Sequence, residues 1–292
     1  MTTRLWTVPV LAGLLTLALC GAGFAMPSLG GPTGIVSVPN AYVAPMNSLD
    51  LALSYQKAKM ALNDEISPSG ESTSKAEDVT VWSLQALTGV AEQAELWAAY
   101  SAVRDGNDSH IWGLGGKVAL TKEPEEDATL AIGGSYRKWV EAFTETILES
   151  GGMYSSTSFD AKVWDAYIVA SKDFTPLKGE KWEWGPGGGT RMIGSAGLMY
   201  KKVDVTGFSE SLTRPFLGVE FIGAAGTALG LEYRWKDDTL DEKAVFSAVL
   251  RHKFSAEVAA EVGTTNASPI GTGLSDQNWF VRVGYSLPMK GK

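Results

Sequence analysis

Cysteine and histidine are nearly missing from this chain. Cys20 is the one cysteine, and His110 and His252 are the two histidines. Cys20 lies inside an N-terminal secretion signal. Arg4 precedes an apolar run from Val8 to Leu19, and Gly21-Ala22-Gly23-Phe24-Ala25 supplies small residues for cleavage after Ala25. The apolar run is short for a membrane anchor, and Leu17-Ala18-Leu19 places a bulky residue where a lipoprotein signal wants a small one. Cleavage leaves a cysteine-free mature chain, which excludes a disulfide framework and thiolate chemistry. The histidines form no pair at ligand spacing, so no metal is expected. No long apolar run follows residue 25, and no spanning helix is predicted. The signal removes only Arg4 among the charged residues, leaving 24 basic against 33 acidic side chains, a formal charge of –9. That balance argues against nucleic acid as a partner. Gly185-Pro186-Gly187-Gly188-Gly189 lacks the Lys-Ser/Thr of a phosphate loop, and no cofactor is expected.

What the chain does have is alternation. In residues 217–236 the apolar set is Leu217, Val219, Phe221, Leu229, Leu231, Tyr233 and Trp235. The interleaved set is Gly218, Glu220, Gly230, Glu232, Arg234 and Lys236. A period of two with opposite chemistries means that each strand separates two environments. The same logic predicts twelve strands, near 48–57, 79–89, 94–103, 110–120, 128–138, 161–172, 190–201, 214–223, 227–236, 243–254, 256–263 and 277–287. The first and last are the clearest, and strands six, seven and eleven alternate least. Lengths near ten residues suit a tilted strand crossing a bilayer. The 33 glycines and 10 tryptophans suit a curved wall with aromatic residues at the two membrane interfaces. A secreted sandwich or solenoid would also alternate. It would not need aromatics at strand ends on the apolar face, or acids and bases throughout the other.

These features predict an all-β fold: a transmembrane antiparallel up-and-down β-barrel of about twelve strands over residues 48–287. It would follow a cleaved signal (1–25) and a Pro/Gly-rich segment (26–47), and end in a short tail (288–292). Long polar connections at 58–78, 104–109, 139–160, 202–213, 237–242 and 264–276 follow odd strands, and short ones follow even strands. That asymmetry matches outside loops and periplasmic turns. Residues 173–189 break it, as a long connection where a turn is expected. The expected location is the outer membrane, with its lipid and the barrel-assembly machinery as partners.

Residues 26–47 are too rich in Pro and Gly for a helix. They could lie in the lumen, cover the periplasmic mouth or dock to a partner. Gly31-Pro32-Thr33-Gly34-Ile35 followed by Pro39-Asn40-Ala41 resembles the start of the YjbH-like outer-membrane barrels. The resemblance continues in the stretch from Leu87 to Leu96 and in that from Pro215 to Phe221. It implies a role in exopolysaccharide or capsule export and polysaccharide-export proteins as partners. The C-terminus departs from the usual aromatic ending of such barrels, finishing Tyr285, Leu287 and then Pro288-Met289-Lys290-Gly291-Lys292.

The candidate site is a lumen-lining charge cluster: Asp50, Glu95, Lys117, Arg137, Glu220, Glu232, Arg234 and Arg282. Gln56, Gln85, Arg251 and Glu261 share that face. Such a lining either selects solutes or pairs internally and fills a narrow lumen. Both signs occur in similar numbers, which favours pairing. Glu220, Glu232 and Arg234 are expected to form one hydrogen-bonded cluster. A narrow channel or scaffold is the leading reading, and a non-conducting barrel acting through its outer loops is the alternative. No catalytic residue is expected. The one candidate for hydrolysis is His110 beside Asp105, Asp108 and Ser109. Trp182 and Trp184 are expected at the membrane interface.

Overall fold

The structure, a computed structural model, describes residues 27–29, 31–66, 72–104, 108–123, 127–148, 154–174, 191–205, 208–223, 226–236, 243–267 and 278–288. The expected signal, residues 175–190 with Trp182 and Trp184, and the acidic stretch 237–242 lie outside them. Twelve strands form one closed ring: β1 Ser48–Ile66, β2 Ser72–Ala91, β3 Ala94–Arg104, β4 Asp108–Ala119, β5 Thr129–Leu148, β6 Tyr154–Asp173, β7 Arg191–Val205, β8 Phe208–Ile222, β9 Thr227–Arg234, β10 Val245–Lys253, β11 Val258–Thr265 and β12 Asn278–Pro288. Neighbours in sequence pair antiparallel. β1 closes on β12 from Ser48↔Pro288 to Lys57↔Trp279. Closure leaves no strand edge in the membrane-spanning wall, as hydrocarbon requires.

The exterior is the apolar face of the alternation. Leu84, Leu96, Leu114, Leu198, Val262 and Val283 are each about half exposed, and the band they belong to runs right round the ring. A soluble monomer rarely exposes a contiguous apolar patch above a few hundred Å². A ring of leucine and valine on all sides is a lipid-facing surface. Aromatic pairs bound the band at the end away from the chain termini. Tyr55 packs on Trp82 and Trp279 with ring centroids 4.7 and 5.3 Å apart, and Tyr136 packs on Trp112 and Trp164 at 5.2 and 4.3 Å. Beyond this girdle the outward positions become charged. Lys57 pairs with Asp78 at 2.9 Å and Lys138 with Asp160 at 2.6 Å.

Two expectations change in detail. Among the described residues, Trp and Tyr mark the interface away from the termini more strongly than the other, whose connection with Trp182 and Trp184 lies outside them. Among the described residues, Tyr285 is the one outward Trp or Tyr near the terminal end, while Trp97, Trp139 and Tyr167 turn inward and are buried. And much of 58–78, 139–160 and 202–213 is strand rather than loop. β1 and β2 stay paired from Leu49↔Thr88 to Ile66↔Ser72, past a bulge between Ala61 and Asn63. The ladder outlasts the predicted ten-residue spans. The tip of β1 also pairs in parallel with β5, from Asp64↔Thr146 to Ile66↔Leu148. The β1–β2 hairpin therefore leans across the end of the short β3–β4 hairpin. The terminal end is periplasmic in barrels of this type.

The lipid-facing assignment is checked by Val283→Arg, which places a cation in the middle of the apolar band. It is expected to lower unfolding free energy in lipid vesicles by about 2–4 kcal/mol, whereas Thr80→Arg, beyond the Trp82 girdle, should cost at most about 1 kcal/mol. Urea titration followed by tryptophan emission measures both.

Candidate functional site

The inward positions form three layers. Nearest the outer end the layer is apolar. Ala58, Val79, Val81, Val103, Ile111, Trp139, Ala161, Val163 and Val203 are buried against one another. Trp139 Nε1 satisfies itself by donating to Ser109 Oγ at 3.0 Å. This corrects the expectation of a polar inner face along whole strands: above the charged belt the interior is packed like a soluble core.

The middle layer holds the charges, and most are paired. Asp165 accepts from Lys201 at 2.7 Å and from Ser135 at 2.8 Å, with Arg137 at 3.4 Å. The Arg137 guanidinium stands 5.8 Å from the Trp97 ring centroid. A second chain runs Glu220–Arg251–Glu261–Arg282. Arg251 meets Glu220 at 2.7 Å and Glu261 at 2.5 Å, and Arg282 completes it by bonding Glu261. Arg214 and Arg234 are buried as well. Such pairs hold only as pairs, since removing one partner strands a buried charge at a cost of about 3–5 kcal/mol. Glu220, Glu232 and Arg234, expected from sequence as one cluster, each make a contact elsewhere. Glu220 turns to Arg251, Arg234 lies against the Met199 sulfur at 4.0 Å, and Glu232 binds the N-terminal segment. Side chains two apart on one face diverge when a better partner reaches each from another element. Asp50 sits apart from all of these, at the β1–β12 seam, where its carboxylate accepts from Ser286.

The third layer, at the terminal end, is the N-terminal segment itself. Residues 27–29 and 31–44 lie in the lumen, with Ile35, Val36, Val38, Ala41 and Ala44 buried. Two carboxylates from the wall hold it. Glu232 accepts from the backbone N–H groups of Val36 (3.0 Å), Ser37 (2.9 Å) and Val38 (3.1 Å), and from the Ser37 hydroxyl. Glu95 accepts from the N–H groups of Thr33 (2.9 Å) and Ala44 (2.7 Å). Lys117 pairs with Glu95 at 3.1 Å and donates to the carbonyls of Asn40 (2.9 Å) and Tyr42 (2.5 Å). Ser171 Oγ takes the Ala41 N–H at 2.8 Å. Tyr42 donates to Glu123 at 2.9 Å. Burial and that carboxylate push the Tyr42 phenol well above its usual value, so it stays a donor.

The wall makes room for the segment with small residues. An added Cβ at Gly218 or Gly230 would fall 2.5 Å from Ile35. Gly31, at φ 106°, lies flat on the Trp97 ring, where any side chain would collide. Sequence reasoning placed Glu95, Lys117 and Glu232 on the inner face but missed what they bind. The inward glycines of β8 and β9 were the available signal, a gap in the wall that something else must fill.

His110 and Ser109 sit on opposite faces of β4. The His110 ring lies 5.8 Å from Tyr100 on the outer side, while Ser109 accepts from Trp139 inside. Asp105 and the Asp108 side chain lie outside the described residues. His252 is bonded to Thr227 at 2.7 Å and packs on Phe254. No cluster of three potential metal ligands occurs among the described residues.

No protein-family model and no curated protein matches the sequence. Solved structures do. The translocator domain of the autotransporter NalP from Neisseria meningitidis aligns at a TM-score of 0.50 and 10% identity, covering 83% of this chain and 89% of that one. The barrel has an outer-membrane fold. The KdgM porin, solved in complex with disordered oligogalacturonate, aligns at 0.49 and 11% identity over 81% and 99%. The β-domain of the Bordetella autotransporter BrkA aligns at 0.47 and 12% over 83% and 99%.

The role of Glu232 is checked by Glu232→Ala. It removes the acceptor for three buried amides, so the segment should loosen by about 2–4 kcal/mol while the barrel persists. Limited proteolysis should then cut within residues 27–47 in the variant and not in the parent, with the folded barrel still running fast on unheated denaturing gels.

Proposed function

We propose that this protein is an outer-membrane transport barrel that is closed at rest by its own N-terminal segment. The observation that carries this reading is the division of labour in the lumen. The outer two layers are filled by strand side chains. The terminal third is instead filled by a separate segment that joins the wall only at its end and seats Ile35 where the wall carries Gly218 and Gly230. A barrel needing only bulk inside could have used larger side chains throughout. The apolar layer is then a second barrier in series, of the kind that closes a pore by excluding water. The chemistry is non-enzymatic in this reading: the paired charges position and exclude, and no group is set to attack a bond. A part in exopolysaccharide export, with export proteins as partners, rests on the family resemblance of residues 31–41, 87–96 and 215–221.

A second reading is a non-conducting barrel that works through its outer surface. The rise of β1, β2, β5 and β6 beyond the aromatic girdle favours it. Planar-bilayer recording separates the two. The intact mature chain is expected to be silent. Deletion of residues 26–47 combined with Ile111→Ser and Val163→Ser is expected to conduct in discrete steps, with either change alone giving little. Steady current from the intact chain would overturn closure at rest. Silence of the combined, folded variant would sink the channel and leave the surface reading.

A further inference from the structure

The N-terminal segment is bound as a ligand is bound. Its internal hydrogen bonds are its own: Ser28 to the Pro32 carbonyl, Leu29 to Val36, Ile35 to Val38 and Asn40 to Thr33. Among the described residues it takes part in the wall's ladder at a single bridge, Met46↔Gly89. The remaining recognition is pocket chemistry. Glu232 caps a turn by receiving three successive amides, Glu95 and Lys117 read a second set of amides and carbonyls, and Ile35 drops into the socket left by Gly218 and Gly230. Ile35 and Val36 also pack on Val249 and Phe280, and Val38 and Ala41 on Tyr167, Met199 and Phe216. The connection to β1 is one turn at Asn47, a non-glycine residue with φ 60°. Pro45, Met46 and Asn47 are exposed there.

We propose that the terminal half of the lumen is a peptide-binding site, occupied here in cis by residues 27–47 and able to hold the same segment in trans. The ligand class is an extended peptide with the chemistry of Gly34-Ile35-Val36-Ser37-Val38-Pro39: a tight turn that offers consecutive amides to a buried carboxylate, with one branched apolar side chain beside it. The inference rests on the reading of the segment as a removable plug. It adds that the wall keeps its recognition surface when the segment leaves. A cis ligand tethered by one residue competes at high effective concentration, so a rival peptide gains access only once the tether is cut or the segment withdrawn.

The test uses the full chain with a protease site inserted after Asn47, refolded in detergent micelles and then cut. A fluorescent peptide of residues 26–47 is added, and anisotropy is followed. Saturable one-to-one exchange is expected. Glu232→Gln in the barrel should weaken it by about tenfold or more. Gly31→Val in the peptide should weaken it similarly, through the collision with Trp97. A barrel expressed without residues 26–47 provides the same measurement without cleavage. Three results would each overturn the proposal: no exchange into the cut, folded barrel; equal binding of a scrambled peptide; or unchanged affinity in the Glu232→Gln barrel. The readout needs no current. A barrel that binds the peptide yet stays silent in bilayers removes the channel and keeps the site, while one that conducts after deletion yet ignores the peptide does the reverse.

Discussion

Everything in this molecule depends on one constraint: in hydrocarbon, each backbone N–H and C=O of the wall must find its partner inside the wall. The pairing of β1 with β12 meets that requirement by closing the ring. Closure with twelve strands then fixes the diameter. A fixed diameter leaves an interior, and the sequence has to say what goes there. The answer differs by depth. Valine, isoleucine and tryptophan fill the outer level, paired charges the middle, and a folded-back piece of the same chain the terminal level.

The three fillings follow different energetic rules. The apolar layer is held by burial and packing, is non-directional, and tolerates repacking. The charged layer is directional and unforgiving, because each ion is tolerable in a low dielectric only while its partner is present. The N-terminal segment combines the two. Its apolar side chains are buried as in a core, yet its position is set by carboxylates that accept backbone amides. Hydrogen bonds to a charged acceptor are stronger than neutral ones, and here they replace the ladder bonds that the segment does not make. That is why a chain with so little regular structure can be seated firmly between strands.

The strand pattern was legible in the sequence almost completely. All twelve strands were anticipated, including those with weak alternation, because lipid on one side imposes a period of two over about ten residues. The same signal failed where lipid ends. In β1, β2, β5 and β6 the ladder runs on through Asp64, Glu65 and Thr146, where the sequence no longer alternates apolar with polar. It failed again on the inner face. Val81, Ile111 and Val163 look like any other strand residue, so the apolar layer had no signature. The site was half visible. Period two alone places Glu95, Lys117 and Glu232 inside, but it cannot say that their partners are backbone amides and carbonyls some 50 to 200 positions away in sequence. Glu220 and Glu232 show the limit of that logic: a shared face makes neighbours, while Arg251 and the N-terminal segment supply their partners.

The aromatic girdle at the outer end has a mechanical consequence. Tryptophan and tyrosine rings prefer the headgroup zone and resist displacement along the membrane normal. Here they grip the outer leaflet at Tyr55, Trp82, Tyr136 and Trp164, while among the described residues the terminal rim presents the more scattered rings of Phe174 and Tyr285. The depth of the barrel is therefore registered from its outer face. Any change in bilayer thickness is absorbed at the inner rim, beside the exposed Pro45-Met46-Asn47 tether, so the leaflet that senses compression or stretch is the one next to the hinge of the segment inside.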